Sequence, residues 1–280
     1  MTTVFQRVVQ VRVGPPGGEG SRFGNDSDGS FGHHIKFATK SGDTGRPAEC
    51  DLSIFNLNPR SRELFSNPKH VISIKVGHRA RGARQIFQGN PTPNTLTTQK
   101  TGADWLTKIT LRDGGQGYDT GRLEISFRGK TSPRQVLNAI LDATGWGEGV
   151  VDLGDFQWKR RFVFSGPART AMDLITSAPV GNRRWFIRDN NVYILKRGET
   201  TSEGAPLFSA DSGTLIGTPE PVEGGGVRFK GILDASVRVG RVVKVESKYV
   251  TGFFTVVEAN FAGSNFEGDY SVRVKGIPRA

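Results

Sequence analysis

The sequence predicts a mainly β protein with an α+β middle, in which two small β-barrel domains are joined by an insert that contains helices. Short segments with apolar residues at every second position follow one another closely in residues 1–125 and again in residues 201–280. Residues 126–200 instead carry helical apolar spacing and a hairpin pattern. Because many short strands separated by turn residues are typical of barrels and sandwiches, we expect a β-barrel domain in each outer segment.

The strands of the first segment are separated by clear turn signals. The pattern FQRVVQVRV at residues 5–13 predicts a strand, and a loop rich in glycine, proline and aspartate follows it. In CDLSIFNLNPRSREL (residues 50–64) apolar and polar residues alternate up to Ile54, and Pro59 then favours the first turn of a helix. Residues 70–78 alternate in the same way. The segment is therefore predicted to be a series of strands with one short helix.

The middle segment contains one strongly predicted helix. Ser132 is suited to the N-cap, Pro133 to the first helical position, and Gln135 completes the spacing of a capping box. Gly145 is a suitable C-terminal stop. The apolar face of this helix is predicted to consist of Val136, Leu137, Ile140 and Leu141.

A weak internal repeat and a hairpin complete the middle segment. Residues 125–140 and 162–177 each contain a short strand, a glycine and a helical pattern, and their alignment pairs Ile125 with Phe162 and Leu137 with Leu174. Residues 183–198, RRWFIRDNNVYILKRG, contain two apolar strands around Asp-Asn-Asn, residue types that accept a positive φ. The middle segment is thus predicted to hold two strand–helix units and a hairpin.

The last segment returns to short strands separated by glycine-rich turns. Its alternating apolar residues are expected to face the interior of a second small barrel. These candidate interior residues are Val242, Val245, Phe254, Val256, Val272 and Val274.

The chain is strongly basic, with a formal net charge of +11 and a pI near 10.0. Residues 1–125 carry 17 basic and 11 acidic residues, residues 126–200 carry 12 and 7, and residues 201–280 carry 9 of each. The excess occurs in short bursts at residues 78–84, 158–161 and 182–185 that lack the spacing of a recognition helix, so we expect surfaces that contact proteins. The candidate partner-interface residues are Arg79, Arg81, Arg84, Lys159, Arg160 and Arg161.

No motif of the sequence indicates catalysis, a cofactor or a metal site. The single cysteine, Cys50, lies in a strand pattern and is expected to be a small buried hydrophobe. His33 and His34 are adjacent and would point to opposite faces of a strand. No apolar run is long enough to span a membrane, and the N-terminus lacks a signal-peptide pattern. We therefore expect no enzyme, no cofactor and no membrane span.

Several motifs occur in a fixed order along nearly the whole chain. An I-x-N-L turn follows the strand at residues 54–57, and QIFQGNPTP follows at residues 85–93. A strand ending in Asp-Gly occupies residues 109–114. The strand–helix units and the hairpin come next, and residues 213–247 then contain GTLIGTPEP, a glycine-rich loop, a strand and ILDASVRVG.

In this order the motifs resemble those of baseplate or tail-tip hub proteins of tailed bacteriophages, the late control protein D-like family. The chain departs from the family pattern at Pro91, where a hydrophobe is usual, at Ala235, where proline is common, and at Asn260, where histidine is usual. The resemblance implies a homotrimer in which each subunit supplies two barrels, so that a ring with pseudo-sixfold symmetry forms. Such a ring adapts a hexameric tail tube to a trimeric spike or tip and lets DNA pass.

The resemblance also implies the partners and the location. The partners would be the tail tube or a distal tail protein, the spike or tail-tip protein, and the tape measure protein. The location would be the tail baseplate or tip of a virion that is assembled in the host cytoplasm.

Two alternatives to a structural hub remain open at the level of sequence. One is a β-rich nucleic-acid- or carbohydrate-binding module, in which Trp146, Trp158 and Trp185 would stack on bases or sugars. The other is an enzyme such as a cell-wall hydrolase, although the chain shows no motif for one.

Overall fold

A computed structural model of the protein describes residues 6–25, 32–80, 82–196, 198–201 and 204–279. Strands account for 51% of the chain and helices for 15%, so the predicted mainly β class is confirmed.

The secondary structure alternates short strands with four helices. The strands are β1 (Arg7–Gly14), β2 (Ser21–Gly24), β3 (Ile35–Lys40), β4 (Glu49–Phe55), β5 (Val71–His78), β6 (Gly82–Pro91), β7 (Thr97–Thr101), β8 (Asp104–Arg112), β9 (Arg122–Phe127), β10 (Gly147–Val151), β11 (Phe162–Pro167), β12 (Arg183–Arg188), β13 (Asn191–Lys196), β14 (Leu207–Ser209), β15 (Leu215–Val222), β16 (Gly226–Ile232), β17 (Val242–Glu246), β18 (Thr251–Ser264) and β19 (Tyr270–Pro278). The helices are α1 (Pro59–Ser66), α2 (Gly115–Thr120), α3 (Pro133–Thr144) and α4 (Ala168–Thr176).

One large sheet contains strands from both outer segments. Its order is β15-β16-β19-β18-β3-β4-β8-β6-β5-β1-β2, with β7, β14 and β17 attached beside this path. The order has two ends, so hydrogen bonding among the described residues does not close either outer segment into the predicted barrel. The pairing of β18 with β3, which includes Ala262 with Ala38, continues the sheet from the last segment into the first.

The first segment follows the predicted pattern of strand, turn and helix. Asn56 adopts a positive φ of 57°, and the side chain of Asn58 caps α1 by accepting a hydrogen bond from the N–H of Ser61 at 2.8 Å. Leu57 and Phe65 are buried, so the turn and the helix cover one end of the core. The Asn-Pro sequence thus ends β4 and turns the chain over the apolar interior.

The helix α3 confirms the cap and most of the predicted face. Ser132 and Gln135 form a reciprocal capping box, and Gly145 takes the left-handed conformation that ends the helix, with φ 70°. Val136, Leu137 and Ile140 are fully buried. Leu141 is only partly buried and packs against the edge of the same cluster.

The middle segment has a hydrophobic core of its own. Helices α3 and α4 pack on the two-stranded β9–β11 sheet and on the β10-β13-β12 sheet. β9 and β11 pair antiparallel, so Ile125 lies opposite Phe164 rather than opposite its repeat counterpart Phe162. Leu174 is exposed although its counterpart Leu137 is buried. The boundary expected between residues 125 and 126 falls inside β9.

The two outer segments share one continuous core. All six candidate interior residues of the last segment are buried, and most of them belong to a cluster that also contains buried side chains of β1, β4 and β5. Tyr270 of β19 crosses between the segments, because its hydroxyl donates to the carbonyl oxygen of Gly77 at 2.7 Å and lies 2.9 Å from that of Val8. The same hydroxyl accepts the N–H of Gly77 at 2.9 Å. Asn260, at the position where the resembled family has histidine, accepts the N–H of Ser41 at 3.1 Å.

The carboxylate of Asp113 joins the first segment to the hairpin of the middle segment. Its two oxygens accept the backbone N–H groups of Asp189 at 2.6 Å and of Asn190 at 2.7 Å, which are the positive-φ turn residues of the hairpin. Asp113 is buried. Two short bonds to a buried carboxylate therefore fix the hairpin turn against the end of β8.

The last segment is tied to the same point by Arg238. Its guanidinium donates Nη2 to Oδ2 of Asp189 and Nη1 to the carbonyl oxygen of Gln85, both at 2.6 Å. The side chain of Gln85 also donates to Asp189 at 3.0 Å. We call Asp113, Asp189, Asn190, Arg238 and Gln85 the Asp113 junction; it joins all three segments of the chain.

We expect the cap and the buried face of α3 to contribute separately to stability. Ser132→Ala should lower the free energy of unfolding by about 0.5–2 kcal/mol because it removes the cap. Ile140→Ala should lower it by about 2–5 kcal/mol because it leaves a cavity in the middle core. Urea unfolding measures both, and Asn138→Ala on the exposed face is the control, with a change within about 0.5 kcal/mol. An unchanged midpoint for Ile140→Ala would contradict the packing.

We expect the Asp113 junction to make stability depend on pH. Burial raises the pKa of Asp113 to about 7, although the N–H groups of Asn190 and Asp189 oppose that rise. An aspartate of the unfolded chain ionises near pH 4. Between about pH 4 and 7 the folded protein thus binds more protons, and its free energy of unfolding should fall as the pH rises.

Urea unfolding at several pH values measures this dependence. Asp113→Asn should flatten the pH slope because it removes the titrating group, and the exposed Asp142→Asn should retain the wild-type slope. Equal slopes for wild type and Asp113→Asn would contradict the expectation.

Candidate assembly interface

A cluster of aromatic side chains, of which Phe266 is exposed and His34 and Phe55 are half-buried, lies where β18 turns into β19. The ring of His34 stacks on Phe55 with centroids 4.4 Å apart, and Phe266 lies 5.3 Å from the same imidazole. Lys36 lies 5.7 Å above the ring of Phe55 and pairs with Glu267 at 3.1 Å. Phe266 is 63% exposed. We call these five residues the Phe266 patch.

Trp105 is exposed at the same end of the sheet, at the start of β8. The Asn56 turn holds its backbone, since the N–H of Asn56 donates to the carbonyl oxygen of Trp105 at 2.7 Å and the Asn56 side chain accepts the N–H of Trp105 at 2.9 Å. The guanidinium of Arg62 on α1 lies 5.9 Å from the indole. Trp and Arg are enriched at sites that dominate protein–protein binding energy, and Phe is enriched in interface cores, so this end of the sheet has the composition of a contact surface.

A second exposed apolar cluster lies at the other end of β18. Leu207, Lys244 and Phe253 are direct cross-strand neighbours on β14, β17 and β18, and therefore share one face. Phe253 is 49% exposed, and Tyr249 in the turn before β18 is 70% exposed. The ammonium of Lys244 lies 5.7 Å from the ring of Phe253, and Lys248 lies 5.5 Å from that of Tyr249. We call these five residues the Phe253 patch.

The two patches are separated by the length of one strand. β18 contains 14 residues, which extend roughly 45 Å at about 3.3 Å per residue, less the effect of curvature. A register shift between Val256 and Glu258 bends the strand between the patches. Each molecule therefore presents two different aromatic surfaces in two separate places.

The sequence contained a signal for one of these patches. Phe253 and Phe254 are adjacent on a strand, so their side chains must point to opposite faces. Phe254 is buried, as predicted, and Phe253 is consequently exposed. Phe266 and Trp105 carried no comparable signal, because only the tertiary structure places His34 and Arg62 beside them.

The predicted basic residues lie on the surface in two separate places. Arg79 and Arg84 flank the β5–β6 turn and are exposed, and Arg79 donates to the side chain of Gln6 at 3.2 Å. Lys159, Arg160 and Arg161 are exposed before β11, and Arg161 donates to the hydroxyl of Ser126 at 2.9 Å. Arg81 lies outside the described residues.

The third basic burst is part of the interior. Arg184 pairs with Asp43 at 2.7 Å, and Arg183 pairs with Asp152 at 3.3 Å, with both guanidinium groups largely buried. Trp185 is buried and donates its Nε1–H to Asp173 at 2.9 Å. These residues connect the hairpin to its surroundings rather than to a partner.

The tryptophans, the cysteine and the histidine that the sequence offered as candidates for chemistry are buried or half-buried. Trp146 is buried 6.4 Å from Trp185 and donates to the carbonyl oxygen of Gly114 at 3.1 Å. Cys50 is buried, and burial strongly raises the pKa of its thiol. Burial lowers the pKa of His34, whose Nε2 lies 3.0 Å from the Ser264 hydroxyl. Trp158 is half-buried, and its ring centroid lies 4.7 Å from that of Phe162.

The described part of the chain contains neither a metal-ligand cluster nor a membrane-spanning helix. No three His, Cys, Asp or Glu side chains converge as metal ligands. No described helix is both long enough and apolar enough to cross a membrane.

The fold matches solved structures of tail proteins over almost its full length. A tail protein from Neisseria meningitidis MC58 has a TM-score of 0.64 and 12% identity, with coverage of 97% of this chain and 96% of that one. The 43 kDa tail protein of prophage MuSo2 from Shewanella oneidensis has a TM-score of 0.63 and 9% identity, with coverage of 97% and 98%. The resemblance to phage tail proteins is thereby confirmed at the level of the fold.

A protein of a secretion machine has a similar fold. The E. coli c3393 protein, a component of the type VI secretion system with structural similarity to T4 phage tail proteins gp27 and gp5, has a TM-score of 0.62 and 10% identity. The match covers 88% of this chain and 74% of that one. No protein-family model matches the chain, and no curated protein matches it by sequence.

Proposed function

We propose that the protein is a structural hub of a phage tail baseplate or tail tip. The observation that carries this proposal is the match of the whole chain, end to end, with tail proteins of similar length. A match of a single common domain would give weaker support for a function, because one fold is shared among many functions. Here the same fold includes both outer segments and the helical middle. The two exposed aromatic patches fit a protein that works through contacts.

In the proposed assembly three copies form a ring with pseudo-sixfold symmetry. Each copy supplies two β modules, residues 1–125 and 201–280, with residues 126–200 as the insert. The ring adapts a hexameric tail tube or distal tail protein to a trimeric spike or tip, contacts the tape measure protein, and lets DNA pass. It belongs to the virion tail and is assembled in the host cytoplasm. No catalytic step is part of this function.

The two patches supply the contact between neighbouring copies. They differ in composition and lie at opposite ends of β18, so a contact of the Phe253 patch of one copy with the Phe266 patch of the next is heterologous. A heterologous contact continues from copy to copy and closes into a ring when the rotation permits. A central aromatic cluster surrounded by polar residues is typical of such interfaces.

The alternative of a nucleic-acid- or carbohydrate-binding module loses two of its three proposed stacking residues. Trp146 and Trp185 are buried in the middle core. The exposed basic residues are compatible with nucleic acid as well as with an acidic protein.

We expect Phe253→Ser and Phe266→Ser to prevent ring formation without unfolding the chain. Each removes an exposed ring from one of the two surfaces, whereas Val163→Ser removes a comparably exposed apolar side chain, 62% exposed, from the middle segment. Light scattering with the tube and spike proteins present should give three copies for wild type and for Val163→Ser. Negative-stain images should show a ring with a central hole.

A stable monomeric wild type in that mixture would count against the hub. Rings that form equally well in Phe253→Ser and Phe266→Ser would contradict the placement of the subunit contact at the patches.

We expect the exposed basic residues to face acidic tail proteins rather than DNA. A densely cationic lumen would bind phosphates and hold the genome, because each neutralised phosphate releases counterions. Arg79→Glu with Arg84→Glu should therefore slow association with the neighbouring tail protein by about tenfold at low salt. Stopped-flow mixing measures this rate, and Lys108→Glu on β8 is the control. Tight, salt-sensitive binding of duplex DNA that the double variant abolishes would defeat the placement.

A further inference from the structure

A large cleft separates the β1–β2 hairpin from the middle segment. Its volume is about 600 Å³. One wall is the glycine- and proline-rich loop between Gly14 and Gly20, and the floor is formed by β5 and the end of β6. The opposite wall contains the beginning of α2, the end of α3 and Asn190 of the hairpin turn. The resemblance and the fold comparisons assign no role to this cleft.

The cleft is cationic. The charged residues that line it are Arg12 and Lys69, and the described lining contains no aspartate or glutamate. Glu19 belongs to the hairpin loop but is not among the lining residues. The guanidinium of Arg12 is held at the wall by a hydrogen bond from Nη2 to the carbonyl oxygen of Gly18 at 3.1 Å. A ligand here meets positive charge without a competing internal carboxylate.

The polar lining is suited to a peptide backbone. Arg12, Ser73 and Gln88 are cross-strand neighbours on β1, β5 and β6, so their side chains form one row across the floor. The amides of Gln116 and Asn190 lie on the facing wall. Each amide has two N–H donors and an acceptor oxygen, the groups that an extended backbone requires, and Asn190 uses one of its donors for the carbonyl oxygen of Gly145 at 3.1 Å.

The lining does not resemble a site for a small organic molecule. Such sites are lined mainly by hydrophobic and aromatic side chains. This cleft contains no aromatic residue among its described lining, and its apolar side chains are Val71, Pro15 and Pro16.

Glycines keep the walls free of side chains. A Cβ on Gly17 or on Gly145 would meet no heavy atom within 4 Å, so both positions face open space, and both adopt a positive φ, 71° and 70°, that other residues rarely take. A larger residue at either position would therefore strain the fold, and the walls present backbone to the cleft. An extended chain can approach such a surface closely.

We propose that this cleft binds an extended, acidic segment of a neighbouring protein. Carboxylates of the segment pair with Arg12 and Lys69, and its backbone forms hydrogen bonds with Gln88 and the amides of the facing wall. Arginine suits this role because its planar guanidinium pairs with a carboxylate through two hydrogen bonds. The identity of the neighbour as a tail protein rests on the proposed function, whereas the binding of acidic peptide does not.

The same observations disfavour nucleic acid as the occupant. Binding of a phosphate backbone without sequence preference uses a track of cations together with aromatic platforms for the bases. The cleft has two cations and no described aromatic side chain. Its side-chain amides can both donate to and accept from a polypeptide backbone, whereas a phosphate backbone only accepts hydrogen bonds.

Binding of labelled peptides to the full chain tests the proposal. The probe is a short, capped, fluorescein-labelled peptide of alternating Asp and Ser, compared with peptides that carry Asn or Lys in place of Asp. We expect fluorescence anisotropy to show binding of the Asp peptide and at least about tenfold weaker binding of the other two. Arg12→Gln and Lys69→Gln should each weaken binding of the Asp peptide by about tenfold, and Lys69→Glu should reverse the preference toward the Lys peptide.

Lys100→Gln, a change of an exposed lysine outside the cleft, is the matched control and should bind like wild type. Since Arg12 also bonds the hairpin loop, Lys69→Gln provides a second variant that leaves that bond intact. Equal binding of the Asp and Asn peptides, or unchanged binding in Lys69→Gln, would overturn the proposal. So would tighter binding of a short single-stranded DNA that displaces the Asp peptide and that Lys69→Gln weakens.

Failure of this site and failure of the hub are distinguishable. Ring formation by wild type without peptide binding overturns the cleft proposal alone. Peptide binding by a chain that stays monomeric with its partners supports the cleft and contradicts the hub.

Discussion

The buried carboxylate of Asp113 is the constraint on which the arrangement of the three segments depends. It has two short bonds to the turn of the β12–β13 hairpin, and Arg238 ties the last segment to the same turn. A buried carboxylate that lost these donors would incur a large desolvation cost, so the bonds and the burial require each other. The hairpin residues Asp189 and Asn190 can meet the carboxylate because both adopt a positive φ and direct their N–H groups to one side. The middle segment is thereby held against the end of β8 although it has a core of its own.

The large sheet explains why the chemistry of the protein lies at its surfaces. The pairing of β18 with β3 makes one sheet of both outer segments, and Tyr270 connects β19 with β1 and β5. The interior is filled mainly with apolar side chains. On the exterior, aromatic rings that are not part of the core are exposed at both ends of β18. In the proposed hub, partner proteins would cover these exposed rings.

The cleft and the junction are neighbours in the structure. Gly114 follows Asp113 directly, Asn190 donates to its carboxylate, and both residues line the cleft. A segment bound there would contact the same elements that position the hairpin. In the proposed assembly, the residues that dock a neighbouring protein would also be residues that place the first segment against the middle segment.

The sequence by itself determined the local structure, because local structure depends on spacing and on backbone geometry. The capping box at Ser132, the Asn-Pro turn before α1, the positive-φ hairpin turn and the buried position of Cys50 all follow from residues within one turn or one strand. The ordered motifs also indicated the fold of tail proteins. The tertiary structure decided what depends on contacts between residues that are far apart in the chain. These features are the continuous sheet instead of closed barrels, the position of Ile125 opposite Phe164, and the inward placement of Arg184. It also decided the partners of Asp113, since a carboxylate and the N–H groups it accepts can be far apart in the chain and close in space.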